Sequence, residues 1–354
     1  MSLSPKILII RLSSLGDILH VIPAFSALRA KFPGSSIQWL AAKKSEFLVR
    51  SIRGIDTIHI LDTEALTRTP FDGSAWNGFW SVIRRLRAER FDIGIDFQGL
   101  LKTSIIGLLS GSKTRIGFAK EIVRERPSHW FYQRTLEKPA NPIHIVEQNQ
   151  MLAALAGADP VDMSVDLTVP ISDSLHIDSL LSRAQLERYV VLNPGGGWAT
   201  KCWAPDRYGK LAQRIQRGLG MPVIVTTGPG EEGLYRKIAE ACGDPVPSHF
   251  PVSFIQLIPL YKKAHLFIGG DTGPFHLACA LGTPVVGIFG PTSPVRNGPW
   301  NKNDVVLHHA LQCSNCYGRT CPAGNECMNI DTDEVFSAVT RRLALREDLP
   351  IVHA

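Results

Sequence analysis

The stretch KILIIRLSSLGDILHVIPAFSALRAKF, Lys6–Phe32, decides how the rest of the chain is read. KILII is an apolar run of strand length, and DILHVIPAFSALRAKF carries apolar residues at helical spacing. Between them lies Ser13-Ser14-Leu15-Gly16-Asp17. A strand running through a short turn into a helix is the outline of a nucleotide-binding βα unit. The G-x-G-x-x-G spacing of a dinucleotide turn is absent, however. One glycine, two hydroxyls and a carboxylate stand there instead. A phosphate cradle does not normally aim a carboxylate at its ligand. The turn therefore asks for another chemistry, and the helix N-terminus favours the ionised form of Asp17.

Outward from this turn, strand and helix patterns alternate. Pro33-Gly34 ends the first helix. SIQWLAA and TIHILD read as strands, Ala75–Arg90 as an amphipathic helix with Arg84, Arg85, Arg87 and Arg90, and FDIGIDFQG as a strand. LLKTSIIGLLSG follows as a helix, then KTRIGFA as a strand. DLTVP reads as a short strand, and ISDSLHIDSLLSRAQLER as a polar linker with a helix. The pattern then restarts with the strands YVVLNPGGG, MPVIVTTG, AHLFIGGD and PVVGIFGP. Between them lie the helices RYGKLAQRIQRGLG, LYRKIAEAC and DTGPFHLACALG, and a last helix covers roughly Asp331 to Leu345. Repeated β-α-β units imply parallel sheets with helices on both faces. The expectation is an α/β chain of two doubly wound Rossmann-like domains facing across a cleft. The first covers 1–170, a linker 171–187, the second domain 188–335, and a C-terminal helix and tail 336–354. The turns SSLGD, FQG, NPGGG, TTGPG, GGDTGPFH and FGPTSP all follow strands, where ligands of such sheets bind.

The 354 residues suit two domains. Hydrophobic residues at 44% and charged residues at 20% are ordinary for a globular protein. A net charge of +6 favours acidic partners without naming them. No apolar run approaches membrane-span length, and the N-terminus lacks a signal-peptide pattern. A cytoplasmic protein is expected, with a peripheral membrane position open. Of seven cysteines, Cys313, Cys316, Cys321 and Cys327 cluster as C-x2-C-x4-C-x5-C. In a reducing compartment that cluster suggests a structural Zn²⁺ or iron more than disulfides, although the intervals differ from a regular ribbon.

GGDTGPFH, Gly269–His276, is the most informative turn. Asp271 or Thr272 can cap the helix that follows. N–H groups at Thr272, Gly273 and Phe275 then make an anion site suited to a pyrophosphate, equally well read as an ordinary cap without ligand. Lys201, just beyond NPGGG, can neutralise a leaving phosphate; the plain alternative is a surface lysine. Glu231 and Glu232 after TTGPG suit ribose hydroxyls, or simply the start of a helix. Trp203 reads as core. The segment from Lys113 to Lys138 carries seven basic and three acidic residues, including Arg124. It fits an anionic acceptor or a solvated loop.

Taken together, R-x-S-S-L-G-D-I-L-H-x-I-P-A, D-F-Q-G-L-L-K, W-x-x-K-C-W and D-T-G-P-x-H-L-A-x-A-L-G-x-P-x-V-x-I-F-G-P-T resemble glycosyltransferase family 9, the ADP-heptose:lipopolysaccharide heptosyltransferases. The likeness runs from Ile7 to about Val339, and the cysteine segment resembles one in members of the heptosyltransferase II type. The resemblance implies a GT-B fold with an acceptor-binding first domain and a nucleotide-sugar-binding second domain. It implies an inverting transfer from ADP-heptose to the lipopolysaccharide inner core at the cytoplasmic face of the inner membrane. No cofactor is required for that reaction and no nucleic acid takes part. Carried over by position, Asp17 is the general base. Thr200, Lys201, Asp271, Thr272, Gly273, His276 and one of Glu231 or Glu232 fall on the donor side. Arg11, Ser14, Gly16, Gln98, Lys102 and Arg124 fall on the acceptor side. A relative using another sugar or acceptor, and a nucleotide-sugar epimerase of the same fold, remain as alternatives. A dehydrogenase is disfavoured, since no strand is followed by G-x-G-x-x-G.

Overall fold

The computed structural model describes residues 4–68, 73–162 and 165–347, with side chains to 345. The end of the expected tail, 348–354, lies outside them. The chain divides into two compact units, Met1–Thr168 and Val169–Ala354.

The first unit holds β1 Ile7–Ile10, β2 Ile37–Ala42, β3 Thr57–Leu61, β4 Ile93–Asp96, β5 Thr114–Phe118 and β6 Arg134–Leu136. All pair in parallel, in the order β3-β2-β1-β4-β5-β6. The second unit holds β7 Val190–Asn193, β8 Val223–Thr226, β9 Ser248–Phe250, β10 Leu266–Gly270, β11 Val285–Phe289 and β12 Val305–His308. These are also parallel, in the order β12-β11-β10-β7-β8-β9. Counted from the start of its own unit, each sheet has the strand order 3-2-1-4-5-6 of a doubly wound fold. Each therefore reverses direction once, between β1 and β4 and between β7 and β10. Such a switch point is where these sheets open a crevice at the carboxyl ends of their strands.

The central strands are apolar because helices cover both faces. Every residue of β1, β4, β7, β10 and β11 is buried. Leu8, Ile10, Leu40, Leu86 and Phe91 build one core in the first unit, and Val190, Leu192, Trp203, Tyr208, Leu211, Ile268 and Ile288 one in the second. Trp203 is core, with its indole N–H donated to the Ile330 carbonyl at 2.9 Å.

Several local expectations are corrected. The first helix is two, Leu15–Leu19 and Ile22–Lys31. Pro23 has no N–H for a continuous ladder, and its fixed φ suits a first helical turn instead. DLTVP is no sheet strand; it contributes only the antiparallel bridge of Leu167 to Ile52. The polar linker segment does carry a helix, Ile171–Arg183, as expected. Gly220, at φ 62°, ends the helix Pro205–Leu219 in the left-handed conformation that glycine adopts without strain. Among the described residues, no helix is long and apolar enough to cross a membrane.

Candidate functional site

At the first switch point, the chain leaving β1 meets the chain leaving β4. Ser14 is the N-cap of the helix Leu15–Leu19, and Asp17 is its third residue. That spacing folds the Asp17 carboxylate back over the cap. Oδ2 accepts from the Ser14 N–H at 3.1 Å and its hydroxyl at 2.9 Å. Arg11 closes the group, with Nη2 at 2.6 Å from the same oxygen. Nη1 of Arg11 is donated to the Phe97 carbonyl, at the end of β4. Burial works against charge on Asp17, yet Arg11, His20 and the Ser14 donors hold its carboxyl well below the usual carboxylate range. Every hydrogen bond and ion pair described for Asp17 falls on Oδ2; Oδ1 carries none of them.

Gln98 is locked beside this group, its Oε1 accepting from the Leu12 N–H at 2.8 Å. The turn that places it is made by Asp96, whose Oδ1 takes the N–H groups of Gln98 at 2.8 Å and Gly99 at 3.1 Å. Its other oxygen accepts from the Tyr132 hydroxyl at 2.7 Å. Gly99 has φ +67°, and its carbonyl accepts from the Glu125 N–H, so the basic segment carrying Arg124 packs on the same turn. The structure thus joins Arg11, Ser14, Asp17 and Gln98, with Gly16 buried in the turn between them. Arg124 approaches through its backbone with its side chain exposed, and Lys102 is exposed on the first turn of the helix Leu101–Leu109.

At the second switch point, the chain leaving β7 meets the chain leaving β10. Lys201 Nζ lies 2.9 Å from Asp271 Oδ2 and 3.1 Å from the Asp271 carbonyl. Nε2 of His276 sits 2.8 Å from Asp271 Oδ1. Asn297 Nδ2 adds a third donor, at 3.2 Å from Oδ2. Burial opposes the Asp271 charge, but His276 and Lys201 hold its carboxyl far below the ordinary range. The two approaching segments require glycine: a methyl on Gly270 would stand 2.9 Å from the Lys201 carbonyl oxygen. Thr272 is the cap of the helix Gly273–Ala280, its hydroxyl accepting from the Phe275 N–H at 3.4 Å. That corrects the expectation of a free donor at Phe275. Pro274 supplies none either, which leaves Gly273 in the first turn.

Glu231 and Glu232 separate clearly. The Glu231 carboxylate accepts from the Gly228 N–H at 2.7 Å and packs so closely on Gly195 that a side chain there would overlap it. Glu232 is exposed and turns to the Gly230 N–H. Only Glu231 lies against the glycine turn after β7. Thr200 is buried and donates its hydroxyl to the Gly318 carbonyl at 2.6 Å, which ties the turn to the cysteine-bearing loop.

Cys313, Cys316, Cys321 and Cys327 line one small cavity with Thr200, Gly290 and Gly318. Among the described residues, no group of three or more His, Cys, Asp and Glu side chains is arranged to hold a metal ion. The thiols have other contacts: Cys316 Sγ accepts from the Gly318 N–H at 3.4 Å, and Cys327 Sγ lies 3.8 Å from Asn325 Oδ1. Burial and the three neighbouring thiols push the Cys327 thiol up. The expectation of a structural zinc or iron is therefore not supported.

Sequence reasoning missed Asn297 and Arg319 and gave no role to Trp198, the first residue of the W-x-x-K-C-W motif. Lys201 Nζ lies 4.2 Å from the centre of the Trp198 ring, and the Arg319 guanidinium 5.2 Å from it. Asn297 stands just beyond FGPTSP, at a strand end already singled out; Arg319 is hidden among the cysteines.

Comparison with known proteins places these groups in context. The family model of glycosyltransferase family 9 (heptosyltransferase) matches residues 79–326. The lipopolysaccharide core heptosyltransferase OpsX of Haemophilus influenzae is 27% identical over 310 residues, covering 86% of this chain and 84% of its own. Lipopolysaccharide heptosyltransferase 1 of Pseudomonas aeruginosa is 27% identical over 337 residues, covering 89% and 87%. The solved structure of the E. coli heptosyltransferase WaaC with ADP superposes with a TM-score of 0.77 at 22% identity, over 95% of this chain and 99% of that one. That likeness bears out the two doubly wound sheets of the GT-B class.

Proposed function

Because the chain belongs to glycosyltransferase family 9, the heptosyltransferase family, we propose that it moves heptose from ADP-heptose to the inner core of lipopolysaccharide, inverting the anomeric carbon without a catalytic metal. The first unit binds the acceptor and the second the donor. One observation carries the reading. A single chain presents a half-open, ionised carboxylate at one switch point and a lysine- and histidine-bound aspartate turn at the other.

The reaction forms a bond from an acceptor hydroxyl oxygen to the anomeric carbon as the bond from that carbon to the diphosphate oxygen breaks. The electron pair leaves with ADP. The hydroxyl proton passes to Asp17. A carboxylate this weakly basic suffices, because the attacking hydroxyl becomes strongly acidic once it bonds to a sugar carbon carrying positive charge. Arg11 and Ser14 keep Asp17 ionised and fix its orientation while leaving Oδ1 for the proton. Lys201 and the Gly273 N–H stabilise charge on the departing diphosphate, the task a divalent ion performs in other transferases. Thr200, Thr272 and His276 line the donor side with them, and Glu231 rather than Glu232 takes the ribose hydroxyls. Arg11, Gln98, Lys102 and Arg124 meet the carboxylates and phosphates of the acceptor.

The acceptor is lipid-borne, so the protein works at the anionic cytoplasmic face of the inner membrane. The helix Gly73–Glu89 supports this contact: Trp76 and Trp80 are 43% and 46% exposed, beside the exposed Arg84, Arg85 and Arg87. Aromatic residues with nearby cations suit the headgroup layer.

The deciding experiment incubates the protein with ADP-heptose and a heptose-deficient inner-core acceptor, in excess EDTA, and follows ADP release and acceptor mass. Acceptor-dependent ADP release with a heptose mass increment is expected. ADP release without an acceptor would point instead to a hydrolysing or epimerising enzyme, and loss of the rate in EDTA would overturn metal independence.

A further inference from the structure

We propose that Arg319, carried on the cysteine-bearing loop, is a second cation of the donor site and contacts the diphosphate beside Lys201. The inference rests on the donor reading above and adds to it a residue outside the four motifs.

Three observations converge on Arg319. The first is its position. Its guanidinium and the Lys201 ammonium approach the same indole, that of Trp198, at 5.2 Å and 4.2 Å from the ring centre. Two cations gathered on one ring repel each other, and an anion placed with them removes that cost. The second is charge balance. Lys201 is paired with the buried Asp271 carboxylate, so its positive charge is already matched within the protein. A diphosphate brought to Lys201 alone meets a nearly neutral pair. Arg319 is exposed, and among the described residues no carboxylate is paired with it. It supplies the missing positive charge. The third is how the loop is held. Thr200, next to Lys201, donates to the Gly318 carbonyl at 2.6 Å. The Tyr317 N–H donates to the Pro291 carbonyl at 2.9 Å, and the Tyr317 hydroxyl accepts from the Ser293 N–H at 3.4 Å. The two residues before Arg319 are therefore fastened to the turns after β7 and β11.

A guanidinium held this way suits two phosphate oxygens at once, which an ammonium does not. It distinguishes a diphosphate from a monophosphate. The four cysteines then matter to the donor site through the shape of the loop that carries Arg319.

The test is titration calorimetry of the full chain with ADP, UDP and AMP, on the wild type, Arg319→Ala and Arg319→Lys. Arg319→Ala is expected to weaken ADP by about 10-fold and AMP by less than about 2-fold, with Arg319→Lys recovering part of the loss. Unchanged ADP affinity in Arg319→Ala, or equal losses for ADP and AMP, overturns the diphosphate contact and leaves the ADP donor standing. Wild-type protein that prefers UDP, with the Arg319→Ala loss intact, overturns the adenine donor and supports the contact. Wild-type protein that binds neither diphosphate overturns both.

Discussion

Asp17 and Asp271 stand at corresponding places: each follows the C-terminal end of a strand at the switch point of its own sheet, at the start of a helix. Their surroundings differ. Asp17 is held through one oxygen, and its side chain is 34% exposed. Asp271 is held through both oxygens by Lys201, His276 and Asn297, and its side chain is 4% exposed. Both are kept ionised. A carboxylate with an oxygen to spare can take a proton from a substrate, whereas one with both oxygens occupied serves as the frame for the groups around it. Each carboxylate has three side-chain or N–H donors; how those donors are spread over its two oxygens, not their number, the residue type or its place on the sheet, separates the two.

The sharpest way to break this contrast is Asp17→Asn. Turnover should fall by roughly two to four decades while ADP affinity, measured by calorimetry, stays within about twofold. Near wild-type turnover would remove Asp17 as the base. Asp271→Asn should act on the frame instead. Leaving Lys201 without its buried partner is expected to lower the unfolding free energy by about 3 kcal/mol in denaturant titrations at pH 7. The sign with pH follows from the depressed carboxyl. Its stabilisation is complete above the unfolded-state value of about 3.9 and is lost as pH falls below that toward the folded-state value. The gap between wild type and Asp271→Asn should accordingly narrow on the acid side; a gap that widens there contradicts the ion-pair account.

Arg11→Gln tests the half-open state of Asp17. Without the guanidinium, burial is no longer opposed, and the Asp17 carboxyl rises. The acid limb of the turnover profile should move up by roughly one to two pH units. A limb that does not move would mean Arg11 serves the acceptor alone.

The smallest effect belongs to a second pair of regions. The helix Gly73–Glu89 crosses from β3 to β4, and Leu257–Lys263 from β9 to β10, in matching places. The latter buries Leu257, Ile258, Pro259, Leu260 and Tyr261. The former leaves two tryptophans exposed among arginines. Trp76→Ser with Trp80→Ser should weaken co-sedimentation with phosphatidylglycerol vesicles by about 3- to 10-fold and leave transfer to a soluble acceptor unchanged. Equal binding to neutral and anionic vesicles would sever the arginines from the effect.

These contrasts were only partly legible in the sequence. The strands that carry the turns are buried on both faces, so their apolar runs stand out. The strands that escaped notice, β6, β9 and β12, lie at sheet edges, where RTL, SHF and VVLH need no continuous apolar run. Turn position was readable for Asp17 and Asp271 alike, because it depends on local spacing. Occupancy of the Asp271 oxygens was not, because two of its donors come from far along the chain: Asn297 from beyond β11, and Lys201 from before β8. The choice of Glu231 over Glu232 turns on which carboxylate reaches Gly195, again a tertiary matter. The cysteine spacing suggested a metal, but spacing alone does not fix the distances and angles that a metal site requires.

The carboxylate of Asp96 carries a last consequence. It fastens the Gln98 turn and holds Tyr132, while the side chains of Arg124 and Lys102 are exposed. The residues that fix this turn are thus distinct from the exposed cations beside it. Exchanges at Lys102 and Arg124 are expected to leave the Asp17 contacts in place, so assaying such variants against a series of anionic acceptors tests whether these two cations set acceptor preference. An exchange at Asp96 is expected to loosen the Gln98 turn, and with it the Gln98 contact to the Leu12 N–H, while the Ser14 and Arg11 contacts of Asp17 do not depend on it.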